Sequence, residues 1–274
     1  MSKNILVTWD FTEVSEYALE YALKLQQDEH LNIEILHVLD PGGGLFSSKS
    51  KIKESEVAEK LKEAAVGINE KYQVEVIPTI LEGKLFDAIS DYAGETEASL
   101  VVMGTHGIKG MQKLTGSFAL KVVAGSNVPF IVVQNPPNHQ SLFEHIVFPV
   151  DFRQETKEKL LWAKNIAKMH NSKIHMITPY TSDSGVVKKI KANIIFSKKY
   201  FEQFGIDYQI HNTSKSTKFE SEIVKLSMDL DADLIIIMTT KNIDISDYIL
   251  GATEQYIIAN QAKIPVLCIN PSMV

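Results

Sequence analysis

Asn4-Ile-Leu-Val-Thr-Trp-Asp-Phe11 near the start of the chain and His145-Ile-Val-Phe-Pro-Val-Asp-Phe152 near its middle share one design, an apolar run that closes on Asp-Phe. A short apolar run bounded by polar residues fits a buried strand. Each run leads into a polar step and then a helical pattern. In the first copy Tyr17, Ala18, Tyr21, Ala22 and Leu25 recur at spacings of three and four and so share one helix face. Thr12 is the expected cap of that helix. In the second copy Leu160, Trp162, Ala163, Ile166 and Ala167 play the same part.

The correspondence runs on. Ile33–Val38 matches Lys173–Ile177 as a second strand, and Val74–Ile80 matches Asp207–His211 as a third. Ala98–Met103 matches Ala232–Met238 as a fourth, and Val128–Val133 matches Ile264–Ile269 as a fifth. The offset between copies is 141 residues at Asp10/Asp151 and 136 at Pro129/Pro265. So steady an offset over five elements indicates a duplicated domain rather than a short-period solenoid. Strands and helices alternate, and several strands are apolar throughout, as in a sheet covered on both faces. The expected fold is therefore α/β, two repeated doubly wound domains with parallel sheets and helices on both faces. The expected boundaries are residues 1–135 and 144–274, with 136–143 as a proline-containing linker. Gly42–Lys51 reads as a surface loop, since it lacks the strand–loop–Gly-Lys-Ser/Thr order of a phosphate loop.

Composition narrows the function classes. The 274 residues carry a net charge of −6, which disfavours a nucleic-acid reader built on basic patches. No apolar run approaches the length of a membrane span, and the amino-terminal residues do not form a signal peptide. The single cysteine, Cys268, lies in an apolar run and reads as a small core residue. Together these features suggest a cytoplasmic protein.

Ligands of open parallel sheets sit beyond the carboxyl ends of the strands, near the switch in strand order. Asp10 ends the first strand there, and Val-Val-Met-Gly-Thr-His-Gly follows on the fourth, over residues 101–107. Gly104, Gly107 and Gly110 suit close backbone approach and positive φ. Gly116-Ser117 then opens an expected helix over 118–124, whose free N–H groups would attract phosphate. The same glycines also serve a tight strand–helix turn, and Ser117 also serves as a helix cap. By themselves, His106 reads as a loop or packing histidine and Asp10 as a cap or surface carboxylate.

Taken together, Val7–Thr12, Leu36-His-Val38, Met-Gly-Thr-His-Gly at 103–107, Gly116-Ser117 and the Val-Pro strand at 128–133 resemble the universal stress protein family in its tandem two-domain form. The resemblance covers almost the whole chain. It implies five parallel strands per domain in the order 3-2-1-4-5, with domains paired through their fifth strands. Here that pairing would make a pseudo-dimer within one chain, and a homodimer is a further expectation. Some members bind ATP. By that likeness Thr8, Trp9 and Asp10 would hold adenine or ribose, and Val38 would flank the base. Met103, Gly104, His106, Gly107, Gly116, Ser117 and Phe118 would surround ribose and phosphates. Eight residues separate Gly107 from Gly116, where ATP-binding members usually have nine, and Trp9 and Phe118 are bulky for their places.

In the second copy Thr239-Thr-Lys-Asn242 replaces Gly104-Thr-His-Gly107, and Gly251-Ala252 replaces Gly116-Ser117. Asp151 remains, but the glycines do not, so this copy reads as one that keeps the fold and has lost the site. The resemblance thus implies a stress-response regulatory protein, not an enzyme, that binds ATP or AMP in its first domain, with Mg²⁺ accompanying only ATP. Protein partners are expected but unidentified. The alternatives are an interaction protein holding another small ligand between its lobes and, ranked last, a weak ATPase. No catalytic nucleophile–base pair and no metal-ligand spacing stands out in the sequence.

Overall fold

The computed structural model describes residues 4–26, 32–39, 54–105, 126, 128–137, 143–153, 157–213, 218–239 and 252–270. The chain divides into two compact units, Met1–Pro137 and Asn138–Val274.

The first unit contains β1 (Asn4–Thr8), α1 (Glu13–Leu25), β2 (Asn32–Leu39), α2 (Glu54–Tyr72), β3 (Val76–Glu82), α3 (Leu85–Glu95), β4 (Leu100–Gly104) and β5 (Phe130–Val133). Its strands are parallel and ordered β3-β2-β1-β4-β5. The second unit contains β6 (His145–Pro149), α4 (Lys157–His170), β7 (Lys173–Thr178), α5 (Ser184–Gln203), β8 (Tyr208–Asn212), α6 (Phe219–Asp229), β9 (Leu234–Met238), α7 (Ala252–Ile258) and β10 (Val266–Ile269). Its order, β8-β7-β6-β9-β10, is the same 3-2-1-4-5 pattern.

The doubly covered sheet expected from the sequence is present in each unit. Leu6, Val7, Ile33, Ile35, Val101 and Val102 are buried at 0% exposure, and successive residues such as Leu6 and Val7, or Val101 and Val102, face opposite sides of the sheet. Such burial stabilises each large side chain by about 1.5–3 kcal/mol. α1 packs across β1, β4 and β5, while α2 and α3 both pack on the β2–β3 pair. Acidic Glu13 and Glu16 in the first turn of α1, and Lys24 in its last, complement the helix dipole.

Two details differ from the sequence reading. The fourth and fifth strands of each unit, and the third strand of the first, begin two residues later than expected. Glu97 and Asp231 both adopt φ 48, closing α3 and α6 with a left-handed residue. The next residues, Ala98 and Ala232, still bond back to the helices, through Ala93 O at 2.9 Å and Ser227 O at 2.8 Å. Pro129 and Pro265 precede β5 and β10, contributing only carbonyls, to Val101 N and Ile235 N. Thr12 occupies the N-cap position of α1 but makes no side-chain cap bond. Its hydroxyl turns back to Asp10 instead.

Candidate functional site

The register brings the described ones among the expected residues to one edge. Thr8 ends β1 opposite Leu36, and Trp9 N–H donates to Leu36 O at 2.7 Å. Val38 lies two residues further along β2. On the other side Val7 pairs with Val102, so Met103 and Gly104 flank the residues that follow β1. Thr8, Trp9, Val38, Met103 and Gly104 are all buried, and Asp10 is half-buried. Among the expected residues His106, Gly107, Gly116, Ser117 and Phe118 lie outside the described residues, as do Gly110, the expected helix over 118–124 and the Gly42–Lys51 loop.

Asp10 organises the turn into α1. Its Oδ1 accepts from Thr12 N–H at 3.0 Å, from the Thr12 hydroxyl at 2.5 Å and from the Ser15 hydroxyl at 2.6 Å. Its own N–H donates to Ser15 Oγ at 2.9 Å. This Asx-type turn fixes the carboxylate beside the strand end. Phe11 next to it is held at φ 62, a left-handed conformation costly for a bulky side chain. The Phe11 ring lies 4.9 Å from that of His37.

His37 and Trp9 are buried beside this turn. The Nδ1 of His37 is 2.8 Å from Trp9 O. A carbonyl only accepts, so this nitrogen carries the proton. Burial pushes the His37 pKa down, opposed by the bond to Trp9 and the charge of Asp10. The Trp9 indole Nε1 is buried and has no hydrogen-bond partner among the described residues. A buried donor left unsatisfied costs about 1–3 kcal/mol.

Gly104 serves a purpose other than positive φ, which it does not adopt. A Cβ there would meet Val14 O at 2.2 Å and Val14 C at 2.6 Å, in the first turn of α1. Its bare backbone lets the helix start sit directly on the end of β4. That contact brings the Asp10 turn against Met103-Gly104.

The corresponding place in the second unit is closed. Arg153, at the repeat position of Thr12, donates its N–H to Asp151 Oδ1 at 2.7 Å and its Nε to Asp151 Oδ2 at 2.7 Å. Its other guanidinium nitrogens reach Asp151 Oδ2 at 2.6 Å and Glu254 Oε1 at 2.9 Å. Asn193 of α5 adds bonds to Asp151 O and Arg153 O. Lys159, at the repeat position of Ala18, is buried, donating to Pro149 O at 2.5 Å with its Nζ 4.0 Å from the Phe148 ring centre. The space left among these groups is about 30 Å³, room for about one water. Arg153→Ala would leave the Asp151 and Glu254 carboxylates without their bridging cation. We expect it to lower the stability of the second unit by about 1–3 kcal/mol, less than a fully buried pair because Arg153 is 36% exposed. Urea unfolding read by Trp162 fluorescence in a Trp9→Phe background isolates that unit.

Sequence reading missed Arg153, Lys159 and a second polar layer. In the first unit Glu34 of β2 is buried and accepts from the Thr79 hydroxyl and, at 2.5 Å, from Tyr92 OH. Burial, then the Glu34 bond, pushes the Tyr92 pKa up to about 12. In the second unit the corresponding layer is a ladder of imidazoles. His145 Nδ1 is 3.0 Å from His175 Nε2, and His175 Nδ1 is 3.1 Å from His211 Nε2. Among the described residues no group of three or more His, Cys, Asp or Glu side chains is arranged to hold a metal ion. Cys268 is buried, which pushes its thiol pKa up and leaves it a poor nucleophile. No helix among the described residues is long and apolar enough to cross a membrane.

Comparison with known proteins adds a family. The model of the universal stress protein family matches residues 1–134 and again 142–270. A universal stress protein of Methanocaldococcus jannaschii is 28% identical over 142 residues, 49% of this chain and 83% of that protein. A universal stress protein structure from Archaeoglobus fulgidus covers 99% of this chain and 100% of its own, with TM-score 0.77 and 22% identity, a likeness of fold. Another structure from that organism, a universal stress protein in complex with dAMP, covers 47% of this chain and 98% of its own at 19% identity and TM-score 0.37.

Proposed function

Because the chain belongs to the universal stress protein family and carries two of its domains in tandem, we propose that its first unit binds an adenine nucleotide, ATP or AMP, at the carboxyl edge of β1 and β4. The second unit serves as a partner domain without a nucleotide site. The protein then works as a nucleotide-responsive regulatory module rather than as a catalyst.

The observation that carries this reading is the buried indole N–H of Trp9, which lacks an acceptor among the described residues. A base nitrogen or sugar oxygen would satisfy it. The Asp10 carboxylate, pinned by Thr12 and Ser15, suits acceptance from ribose hydroxyls. Gly116-Ser117 would offer N–H groups and a hydroxyl to phosphate. Mg²⁺ would enter only with a triphosphate, bound chiefly by its oxygens. Closure of the second site by Arg153 supports a stoichiometry of one.

Calorimetry and thermal shift with ATP, ADP and AMP test the reading. We expect one nucleotide per chain. Trp9→Phe, which keeps most of the ring and removes the donor, should weaken binding by about tenfold or less, the worth of one hydrogen bond. Asp10→Asn keeps an acceptor for the α1 turn, so binding should weaken while the fold holds. No heat and no shift at millimolar nucleotide would reject the proposal.

A further inference from the structure

The second unit holds a pocket beside the closed site, and its lining includes Pro179, at the repeat position of Val38. It lies between α5 and the carboxyl ends of β7 and β8, with a volume of about 540 Å³. That is within the range of small-ligand pockets, about 300–1,000 Å³. It shares no lining residue with the site closed by Arg153. The bonds from Asn193 to the Asp151 and Arg153 carbonyls tie α5 to the closed site's loop.

The walls follow from the sequence of α5. Val187, Ile190, Ile194 and Ile195 recur at helical spacing and line one side, and Ile210 of β8 lines the other. Only five residues join β7 to α5, and Asp183 caps the helix through Gly185 N and Val186 N at 2.7 and 2.9 Å. β8 is the last strand in the order on that side. Ile195 at 54% and Ile210 at 37% exposure leave much apolar surface open to water at the pocket.

The polar part of the lining has one sign of charge. Lys191 and Lys198, seven residues apart on α5, both line the pocket, and no carboxylate among the described residues does. Neither lysine has a salt-bridge partner among the described residues. The remaining polar groups are neutral, with Thr178 bonded to Asn212 and Thr213 accepting from Tyr180 N. Lys198 Nζ lies 6.0 Å from the Tyr208 ring centre, a contact that leaves its charge unneutralised. Aliphatic walls beside two cations without a carboxylate partner among the described residues match a molecule with an apolar tail and an anionic head.

We propose that this pocket binds a single-chain amphiphilic carboxylate of the fatty-acid class, with the chain against the α5–β8 isoleucines and the carboxylate at Lys191 and Lys198. The site is independent of the nucleotide edge.

Dodecanoate, used below its micellar concentration, is the probe, titrated into the full chain by calorimetry. We expect one dodecanoate per chain. Dodecyl phosphate binding at least as tightly would overturn the carboxylate assignment. Uncharged dodecanol should bind about tenfold more weakly, as should dodecanoate to the Lys191→Glu/Lys198→Glu double variant, through loss of the charge-assisted contact. Ile194→Trp, which fills the pocket while the lysines remain, should abolish binding. Circular dichroism and thermal melting establish that each variant is folded. No dodecanoate binding by the wild-type chain, or undiminished binding by folded Lys191→Glu/Lys198→Glu or Ile194→Trp, would overturn the proposal. ATP should not displace dodecanoate, so failure here leaves the nucleotide reading standing, and the reverse also holds.

Discussion

Gly104→Ala should cost the first unit about 3 kcal/mol of stability, the upper end of the range for overpacking a tight contact. The added Cβ would fall 2.2 Å from Val14 O, 2.6 Å from Val14 C and 2.9 Å from Val14 Cβ. Two of these atoms are backbone in the first turn of α1, so no rotamer change relieves the clash. The helix start must move away from β4, carrying the Ser15 hydroxyl that anchors Asp10. Nucleotide affinity should therefore fall along with stability. Gly94 in α3 supplies the contrast, because a Cβ there meets nothing within 4 Å. Gly94→Ala should be neutral or stabilise by up to about 1 kcal/mol, through helix propensity and the unfolded chain. Urea unfolding of both variants in a Trp162→Phe background reads the first unit through Trp9. Equal stability of the two variants would show that the α1–β4 approach is looser than described.

That contact also shows how far sequence reading reaches. Glycines after a strand signalled close approach, and the approach at Gly104 is real, but its partner is Val14. Sequence alone does not say which neighbour a bare Cα admits. The duplication was legible because Asp10 and Asp151, or Pro129 and Pro265, recur at nearly one offset and several of the intervening strands are apolar throughout. The strand order 3-2-1-4-5 came from family likeness, since periodicity alone leaves order open. The polar layer was overlooked because Glu34 and His175 interrupt strands that otherwise read as core. Aligned by repeat they coincide, and so do Thr79 and His211 by pairing register. Polar residues at one depth in both copies of a doubly covered sheet must bond to each other, and this signal was available. Arg153 opposite Thr12, and Lys159 opposite Ala18, carried a similar signal. A cation placed where the first copy has a small side chain marks the difference between the copies more directly than lost glycines.

The imidazole ladder leads to the second large effect, a loss of about 3 kcal/mol from the second unit between pH 7 and pH 4. His175 is 2% exposed, and its pKa is pushed down to about 4, first by burial, then by His145, His211 and Lys173, with Asp207 opposing. The unfolded chain protonates a histidine near 6.5. Between these values the unfolded state binds a proton that the folded state refuses, so stability falls as pH drops. The contribution is fully present above about pH 6.5. About 2 kcal/mol of it is gone by pH 5, and the loss is complete below about pH 4. His211, also shifted down by burial and Lys173, deepens the slope in the same direction. Both ring nitrogens of His175 are engaged, so a neutral ladder needs one proton per bond, passed in one direction along His145, His175 and His211. His175→Gln retains a donor and an acceptor but does not titrate. Its urea midpoint, read through Trp162 in a Trp9→Phe background, should change less between pH 7 and pH 4 than that of the parent, by the equivalent of about 3 kcal/mol. Parallel curves for parent and variant would mean that His175 takes up its proton as readily in the folded ladder as in the unfolded chain.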